Sequence, residues 1–221
     1  SKFINTLKHE TDVEEDDITD DFYKLYHQTR LMLIHAFQDK SNVNGNDAIK
    51  FAQTYLNRLI FLFFAEDNNL VKKGLFSEGI LTLLNSGNAK EKTTKISDYI
   101  QTIFSWMDSG SNEIDNKTGF NGEFFKEPID RNAFFYDFKE KSFFDNITKR
   151  VLVPERVKLN KIRKNAVDRY DGKINPIIIN FLKMDSYDFS DEEHGVSKDQ
   201  DTDEYTERIS VNILGHIFEQ S

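Results

Sequence analysis

The stretch from Asp47 to Leu70, DAIKFAQTYLNRLIFLFFAEDNNL, predicts the helix around which the rest of the chain packs. Apolar residues recur along it at helical spacing and spread over most of its circumference. The central stripe consists of Ile49, Ala52, Leu56, Leu59 and Phe63, and the flanks consist of Ala48, Phe51, Tyr55, Leu62 and Phe64. A surface helix needs an apolar stripe of only about 100°, so this one must be covered on several sides. We therefore expect Leu59 and Phe63 to be almost fully buried, in contact with neighbouring helices over 22–37 and 96–107.

The ends of this helix carry polar residues that suit caps and solvent. Asn46 or Asp47 can cap the first turn, and the run from Glu66 to Asn69 is expected to return the chain to water. Arg58 is a cation inside the apolar run. We expect its side chain to reach towards water or to pair with a carboxylate, with ligand binding as the alternative.

Composition indicates a folded globular body with one sizeable core or two small ones. The chain has 221 residues, 38% of them hydrophobic, with 20 Phe against 3 Pro and 10 Gly. Few turn residues favour long elements, so we predict a mainly α fold, an irregular helical bundle with long loops that leaves room for a minor β-hairpin. The absence of Cys excludes disulfides and thiolate metal sites. Without a signal sequence or a long apolar run, we expect a cytoplasmic protein with no membrane partner.

Charge and periodicity divide the chain into five predicted parts. Residues 1–18 form an acidic, mobile lead-in arm, and Thr19 then caps the first helix of a core unit over 19–110. That unit contains a turn over 41–46, a helix around residues 76–84 and a helix from Lys92 to Met107. An aromatic-rich and basic helical unit follows over 111–184, where Asn175 and Pro176 form an N-cap and N1 pair. An acidic linker over 185–208 and a helix over 209–221 complete the prediction.

Aromatic residues cluster between Asn112 and Phe144. Base stacking is one interpretation of such a cluster, but Phe is also a common core residue and few basic residues lie nearby, which favours core packing. The cluster comprises Phe120, Phe124, Phe125, Phe134, Phe135, Tyr136, Phe138, Phe143 and Phe144.

Lys149 to Lys173 is the strongly basic stretch and supplies the candidate DNA contacts. Lys158, Lys161 and Lys164 would share one side of a helix, where phosphates could bind, although ordinary solvated surface is the alternative. The candidate DNA-contact residues are Lys149, Arg150, Arg156, Lys158, Lys161, Arg163 and Lys164. The acidic run over 185–207 would repel phosphates, so we expect it to be exposed and mobile.

The residues themselves provide no catalytic constellation. No nucleophile with a base, no ligand cluster and no phosphate loop is evident, and the acidic groups around Asp20 and His194 lack the partners that a metal site needs. The residues alone therefore do not indicate a function.

Three segments resemble one family, the fused type IIG restriction-modification enzymes, which join an endonuclease and an adenine-N6 DNA methyltransferase in one chain. LNRLIFLFFAEDNNL, residues 56–70, resembles the core helix of their connector region. FNGEFF, residues 120–125, is similar to a short Asn-Gly segment of that connector, although Glu123 stands where Gly is the commoner residue. LGHIFEQS, residues 214–221, resembles the segment immediately before the methyltransferase domain.

The resemblance covers residues 18–221 and implies a non-catalytic helical connector that holds nuclease and methyltransferase apart. It implies that the parent enzyme uses S-adenosylmethionine and Mg²⁺ and acts on DNA, while this fragment itself binds no cofactor and no metal. Its partners would be the two flanking domains and, through the parent enzyme, DNA. No catalytic residue is carried over, because the Asn-Pro-Pro-aromatic motif and the nuclease signature are absent. The alternative is a helical DNA-binding module that uses the basic stretch over 149–173.

Overall fold

The computed structural model describes residues 2–120, 122–136, 138, 169 and 173–190, with side chains from Asp20 onwards. In this part of the chain there are five α-helices and no sheet, which confirms the mainly α prediction. The helices are α1 (Lys2–Lys40), α2 (Gly45–Asp67), α3 (Leu75–Leu84), α4 (Ala89–Ser109) and α5 (Pro176–Asp185). Two 3₁₀ helices of the described residues span Asn112–Ile114 and Arg131–Phe135, and an antiparallel bridge joins Ser111 to Asn116.

Helix α2 is the central helix, as predicted. Leu59 and Phe63 are both fully buried. Helix α1 packs along α2, α3 packs on α4, and α5 contacts both α1 and α3. The Phe63 ring meets Phe76 of α3 and Phe189, at centroid distances of 5.1 and 5.9 Å. The buried apolar residues from Phe22 to Phe189 form one cluster.

The predicted start of the first helix at Thr19 is wrong, because α1 begins at Lys2 and Thr19 lies inside it. Residues 2–40 contain neither Pro nor Gly, so no residue breaks the helix in the acidic run. Like charges one turn apart cost only about 0.2–0.5 kcal/mol per pair, too little to unwind it. The residues of the predicted lead-in arm therefore have a helical backbone, while the mobility of the arm stays a prediction.

The caps of the next helices also differ from their predicted positions. Asn44, not Asn46 or Asp47, caps α2, and its side chain accepts a hydrogen bond from the Asp47 amide. Helix α4 begins at Ala89 rather than Lys92, because Asn88 and Glu91 form a reciprocal capping box. The turn after Lys40 is confirmed.

Asn175 and Pro176 open α5 as predicted. The Asn175 side chain accepts a hydrogen bond from the Ile177 amide and donates one to the Phe134 carbonyl at 2.7 Å. This residue therefore caps α5 and also attaches it to the 3₁₀ helix Arg131–Phe135. The boundaries of the five predicted parts of the chain stay a prediction.

Candidate functional site

Two groups of buried polar side chains on α2 are the candidates for a functional role. The first is Arg58, near the middle of the helix, and the second is the C-terminal group of Glu66, Asp67 and Asn68. All four residues are at least nine-tenths buried. Because a buried polar group is costly unless it is hydrogen-bonded, their partners show what each group holds in place.

Arg58 binds the loop that follows α4. Its Nε donates to the Phe124 carbonyl and its NH1 donates to the Glu127 carbonyl, both at 2.7 Å. The guanidinium carbon lies 5.5 Å from the centre of the Phe104 ring, within cation–π range. We call these contacts the Arg58 clamp. They join α2, α4 and a loop 66 residues further along the chain.

Burial lowers the pKa of Arg58, while the nearby Glu127, Tyr55 and Asp108 act in the opposite direction. The guanidinium stays protonated because an arginine does not deprotonate in a protein. Within the described residues Arg58 forms no ion pair, and its side chain is only 1% exposed. The prediction of a side chain that reaches water or pairs with a carboxylate is therefore wrong, since backbone carbonyls supply the acceptors.

The loop that Arg58 binds carries the predicted aromatic cluster. Phe125 is buried, and its ring contacts Phe61 of α2 and Phe104 of α4 at 5.7 and 5.9 Å. Phe120 and Phe124 meet the same Phe61 ring edge-on at 5.0 and 5.9 Å, and Phe124 is 38% exposed. Core packing is confirmed for most of the cluster that the structure describes, with Phe124 at its edge. Phe143 and Phe144 lie outside the described residues.

The C-terminal group of α2 holds the segment that follows α5. The Asp67 carboxylate accepts from the Phe189 amide at 2.9 Å, and the Asn68 side-chain amide donates to the Phe189 carbonyl at 3.0 Å. Asn68 also donates to the Phe64 carbonyl at the end of its own helix. We call the pair of bonds to Phe189 the Phe189 clamp.

Two predictions are overturned at this point. Glu66, Asp67 and Asn68 do not return α2 to water, because each is buried, and only Asn69 of that run is exposed. Nor is the start of the acidic linker exposed, since residues 185–190 are all buried. A carboxylate can be buried there because backbone amides supply hydrogen bonds, as for Asp188, which accepts from the amide and hydroxyl of Ser190. Residues 191–208 of that linker lie outside the described part.

The predicted DNA-contact residues lie outside the described part of the chain. They are Lys149, Arg150, Arg156, Lys158, Lys161, Arg163 and Lys164. Of the same basic stretch, Arg169 and Lys173 are described, and both are exposed. His194 and residues 214–221 also lie outside the described part.

The described residues contain no group of three or more His, Asp or Glu side chains that could hold a metal ion. A histidine–tyrosine contact is present, in which His35 Nε2 and the Tyr136 hydroxyl are 2.7 Å apart and link α1 to the loop after the second 3₁₀ helix. No described helix is long and apolar enough to cross a bilayer.

One of the comparisons with known proteins finds a similar region. Residues 50–125 match a family model described as MmeI, helicase spacer domain. This is a region of type II restriction-modification enzymes, so the broader resemblance seen in the sequence is confirmed. The matched range contains most of α2, all of α3 and α4, and the loop up to Phe125, and so includes Arg58 and both of the first two resembling segments. No curated protein and no solved structure matches the chain.

Sequence reasoning missed the roles of Arg58, Asp67 and Asn68. One signal was available, because a charged residue inside an apolar helix that must be covered on several sides has to find a buried partner. The partner itself could not be found from the sequence. Phe124 and Phe189 lie 66 and more than 120 residues away, and the bonded groups are backbone atoms that every residue carries.

Proposed function

We propose that this chain is the non-catalytic helical connector of a fused type II restriction-modification enzyme, placed between its nuclease and methyltransferase domains. The observation that carries the proposal is the match of residues 50–125 to a helicase spacer domain. The same residues contain most of the central helix, including Arg58, and the Phe124 carbonyl that Arg58 binds. In this proposal the parent enzyme methylates adenine N6 with S-adenosylmethionine, cleaves DNA with Mg²⁺ and acts in the cytoplasm, and the flanking domains bind both cofactors.

The packing of α2 supports a role in holding two domains at a fixed separation. Its two clamps tie distant parts of the chain to one helix, the loop over 124–127 and the segment over 187–190. Sliding either part along α2 would break two hydrogen bonds and leave buried polar groups unsatisfied, at about 1–3 kcal/mol each. A connector built in this way resists small displacements of these segments. A nuclease needs such resistance if it is to cleave at a constant distance from the recognised site.

A calorimetric titration tests the non-catalytic part of the proposal. The 221-residue chain should give no binding heat with S-adenosylmethionine and should not cleave a DNA duplex in Mg²⁺. Binding at micromolar concentration by this chain alone would overturn it.

The spacing role is tested in the fused enzyme. Arg58→Ala should broaden the distribution of cleavage positions on an end-labelled duplex, because the loop over 124–127 loses both hydrogen bonds. The methylated adenine should stay the same, since the connector does not contact the flipped base. Lys90→Ala, at an exposed position of α4, is the matched control and should leave the distribution unchanged. An unchanged distribution in Arg58→Ala would argue against a spacing role.

The second candidate is a helical DNA-binding module that uses the basic stretch over 149–173. The exposed positions of Arg169 and Lys173 favour it. A mobility shift of the 221-residue chain on duplex DNA at two salt concentrations separates the candidates, because phosphate contacts weaken steeply with salt. In the full-length enzyme, replacing Lys158, Lys161 and Lys164 together by Ala should weaken DNA binding across all sequences and flatten its salt dependence by up to about three phosphate contacts, without changing the recognised site. A chain that shifts no DNA at either salt concentration supports the connector alone.

A further inference from the structure

The turn between α1 and α2 carries an Asn-Gly pair in an unusual position, at the start of the central helix. Asn44 is the N-cap residue and Gly45 is the first residue of α2. The Asn44 side chain is exposed, accepts from the Asp47 amide at 2.9 Å and donates to the Asp47 carboxylate at 2.9 Å. These two bonds hold the side-chain carboxamide over the first turn, on the side where the first amides of the helix point.

The Gly45 amide is available as a nucleophile. The first amides of an α-helix have no carbonyl partner within the helix, so no helical hydrogen bond has to break before Gly45 N can react. Glycine has no side chain to hinder the approach of its nitrogen to a neighbouring carbonyl carbon. In the same turn Asn42 precedes the β-branched Val43, and Asn46 precedes Asp47, so both neighbouring amides are more hindered.

We infer that Asn44 is a site of spontaneous backbone-assisted deamidation that alters the cap of the central helix. Gly45 N attacks Asn44 Cγ, a C–N bond closes a succinimide ring, and the Cγ–Nδ2 bond breaks. Nδ2 leaves as ammonia with the proton from the Gly45 amide. Water then opens the ring at one of its two carbonyls and leaves aspartate or isoaspartate at position 44.

Both products change the start of α2, and isoaspartate weakens it. Asn44 loses the Nδ2–H donor that binds the Asp47 carboxylate, and a second carboxylate takes its place. Isoaspartate also adds a methylene group to the backbone, which moves the side chain away from the Asp47 amide that it caps. The modification therefore acts on the turn that sets α1 against α2.

Peptide mass spectrometry tests the inference with an internal comparison. Trypsin cleaves after Lys40 and Lys50 and releases SNVNGNDAIK, which contains all three asparagines of the turn. After incubation of the folded chain at neutral pH and before digestion, fragmentation of this peptide should locate the conversion at Asn44, several-fold ahead of Asn42 and Asn46. Equal or slower conversion at Asn44 would overturn the inference and show that the cap protects its own side chain.

Gly45→Ala is the matched variant. A Cβ at this position meets Gln38 Nε2 at 3.3 Å, which is the end of an exposed, flexible side chain, so the variant should fold. Its conversion at position 44 should fall to the level of Asn46. Unchanged conversion in Gly45→Ala would show that Gly45 N is not the attacking group.

Discussion

The Arg58 clamp and the Phe189 clamp use the same helix in two different ways. Arg58 reaches sideways with one long side chain and binds the carbonyls of two residues, Phe124 and Glu127. Asp67 and Asn68 do the reverse, since two short side chains bind the amide and the carbonyl of a single residue, Phe189. The first arrangement fixes the position of a loop. The second holds one position of the chain, residue 189, at the C-terminal end of the helix.

The difference teaches how a mainly apolar helix can hold irregular chain segments. A loop has unpaired backbone groups that must find partners when it is buried. Arg58 provides several donors in a planar fork and binds two carbonyls three residues apart, whereas Asp67 and Asn68 use one acceptor and one donor on a single residue. We therefore expect the two clamps to respond differently to substitution.

Phe63→Ala should have the largest effect, because Phe63 lies beside the Phe189 clamp and contacts Phe76 as well as Phe189. Lost transfer free energy and the resulting cavity should reduce the free energy of unfolding by about 3–5 kcal/mol. This is a large share of a total of about 5–15 kcal/mol. A thermal melt within a degree or two of the parent would show that the core is centred elsewhere.

Arg58→Ala should have the second largest effect and reduce the free energy of unfolding by about 3 kcal/mol. Two charge-assisted hydrogen bonds are lost, and this loss is partly offset because a desolvated cation is also removed. Denaturant unfolding measures the loss. Arg58→Lys is the sharper variant, since an ammonium cannot reproduce the planar fork and should restore only part of the stability. Full recovery with Lys would mean that charge, and not geometry, holds the loop.

Asn68→Ala tests the Phe189 clamp. It should reduce the free energy of unfolding by only about 1–2 kcal/mol, because Asp67 still binds the Phe189 amide. Native-state hydrogen exchange should show the Phe189 amide opening more often, while the amides of the loop over 124–127 are unaffected. Equal changes in both places would show that the two clamps are not independent.

High pH should weaken the contact between α1 and α2. Burial raises the pKa of Tyr26, which donates to Asn57, to about 12, from an ordinary value of 10.0. As the folded chain holds this proton more tightly than the unfolded chain does, the stabilisation is complete below pH 10 and is lost as the pH rises from 10 to 12. Unfolding curves across this range should show a smaller loss in Tyr26→Phe than in the parent chain.

Tyr55→Phe should have the smallest effect. The free energy of unfolding should stay unchanged or rise by up to about 1 kcal/mol. Its hydroxyl is fully buried without a hydrogen-bond partner within the described residues, and its ring contacts Phe104, Phe134 and Phe181. A loss of more than 1 kcal/mol, measured by denaturant unfolding, would indicate that the hydroxyl has a partner in solution.

The sequence predicted the regular parts of the fold, because periodicity and caps are local. Apolar spacing located α2 and α4, and Asn175 with Pro176 located the start of α5. The capping box of Asn88 and Glu91 was visible as Asn-x-x-Glu, yet it was overlooked. At the candidate site, prediction failed because both clamps join side chains to backbone atoms far along the chain, and no local pattern records such a pairing.

The direction of these hydrogen bonds has a consequence for which substitutions the protein can tolerate. Every bond in both clamps ends on a main-chain atom, so the identities of Glu127 and Phe189 matter for packing but not for the hydrogen bond itself. Proline at position 189 is the exception, since it would remove the donor to Asp67. Tolerance to substitution therefore differs between the residues whose backbone atoms are bound and the residues whose side chains bind them. The bound segments can change many of their side chains and keep these hydrogen bonds, while truncation of Arg58, Asp67 or Asn68 removes at least one of the bonds.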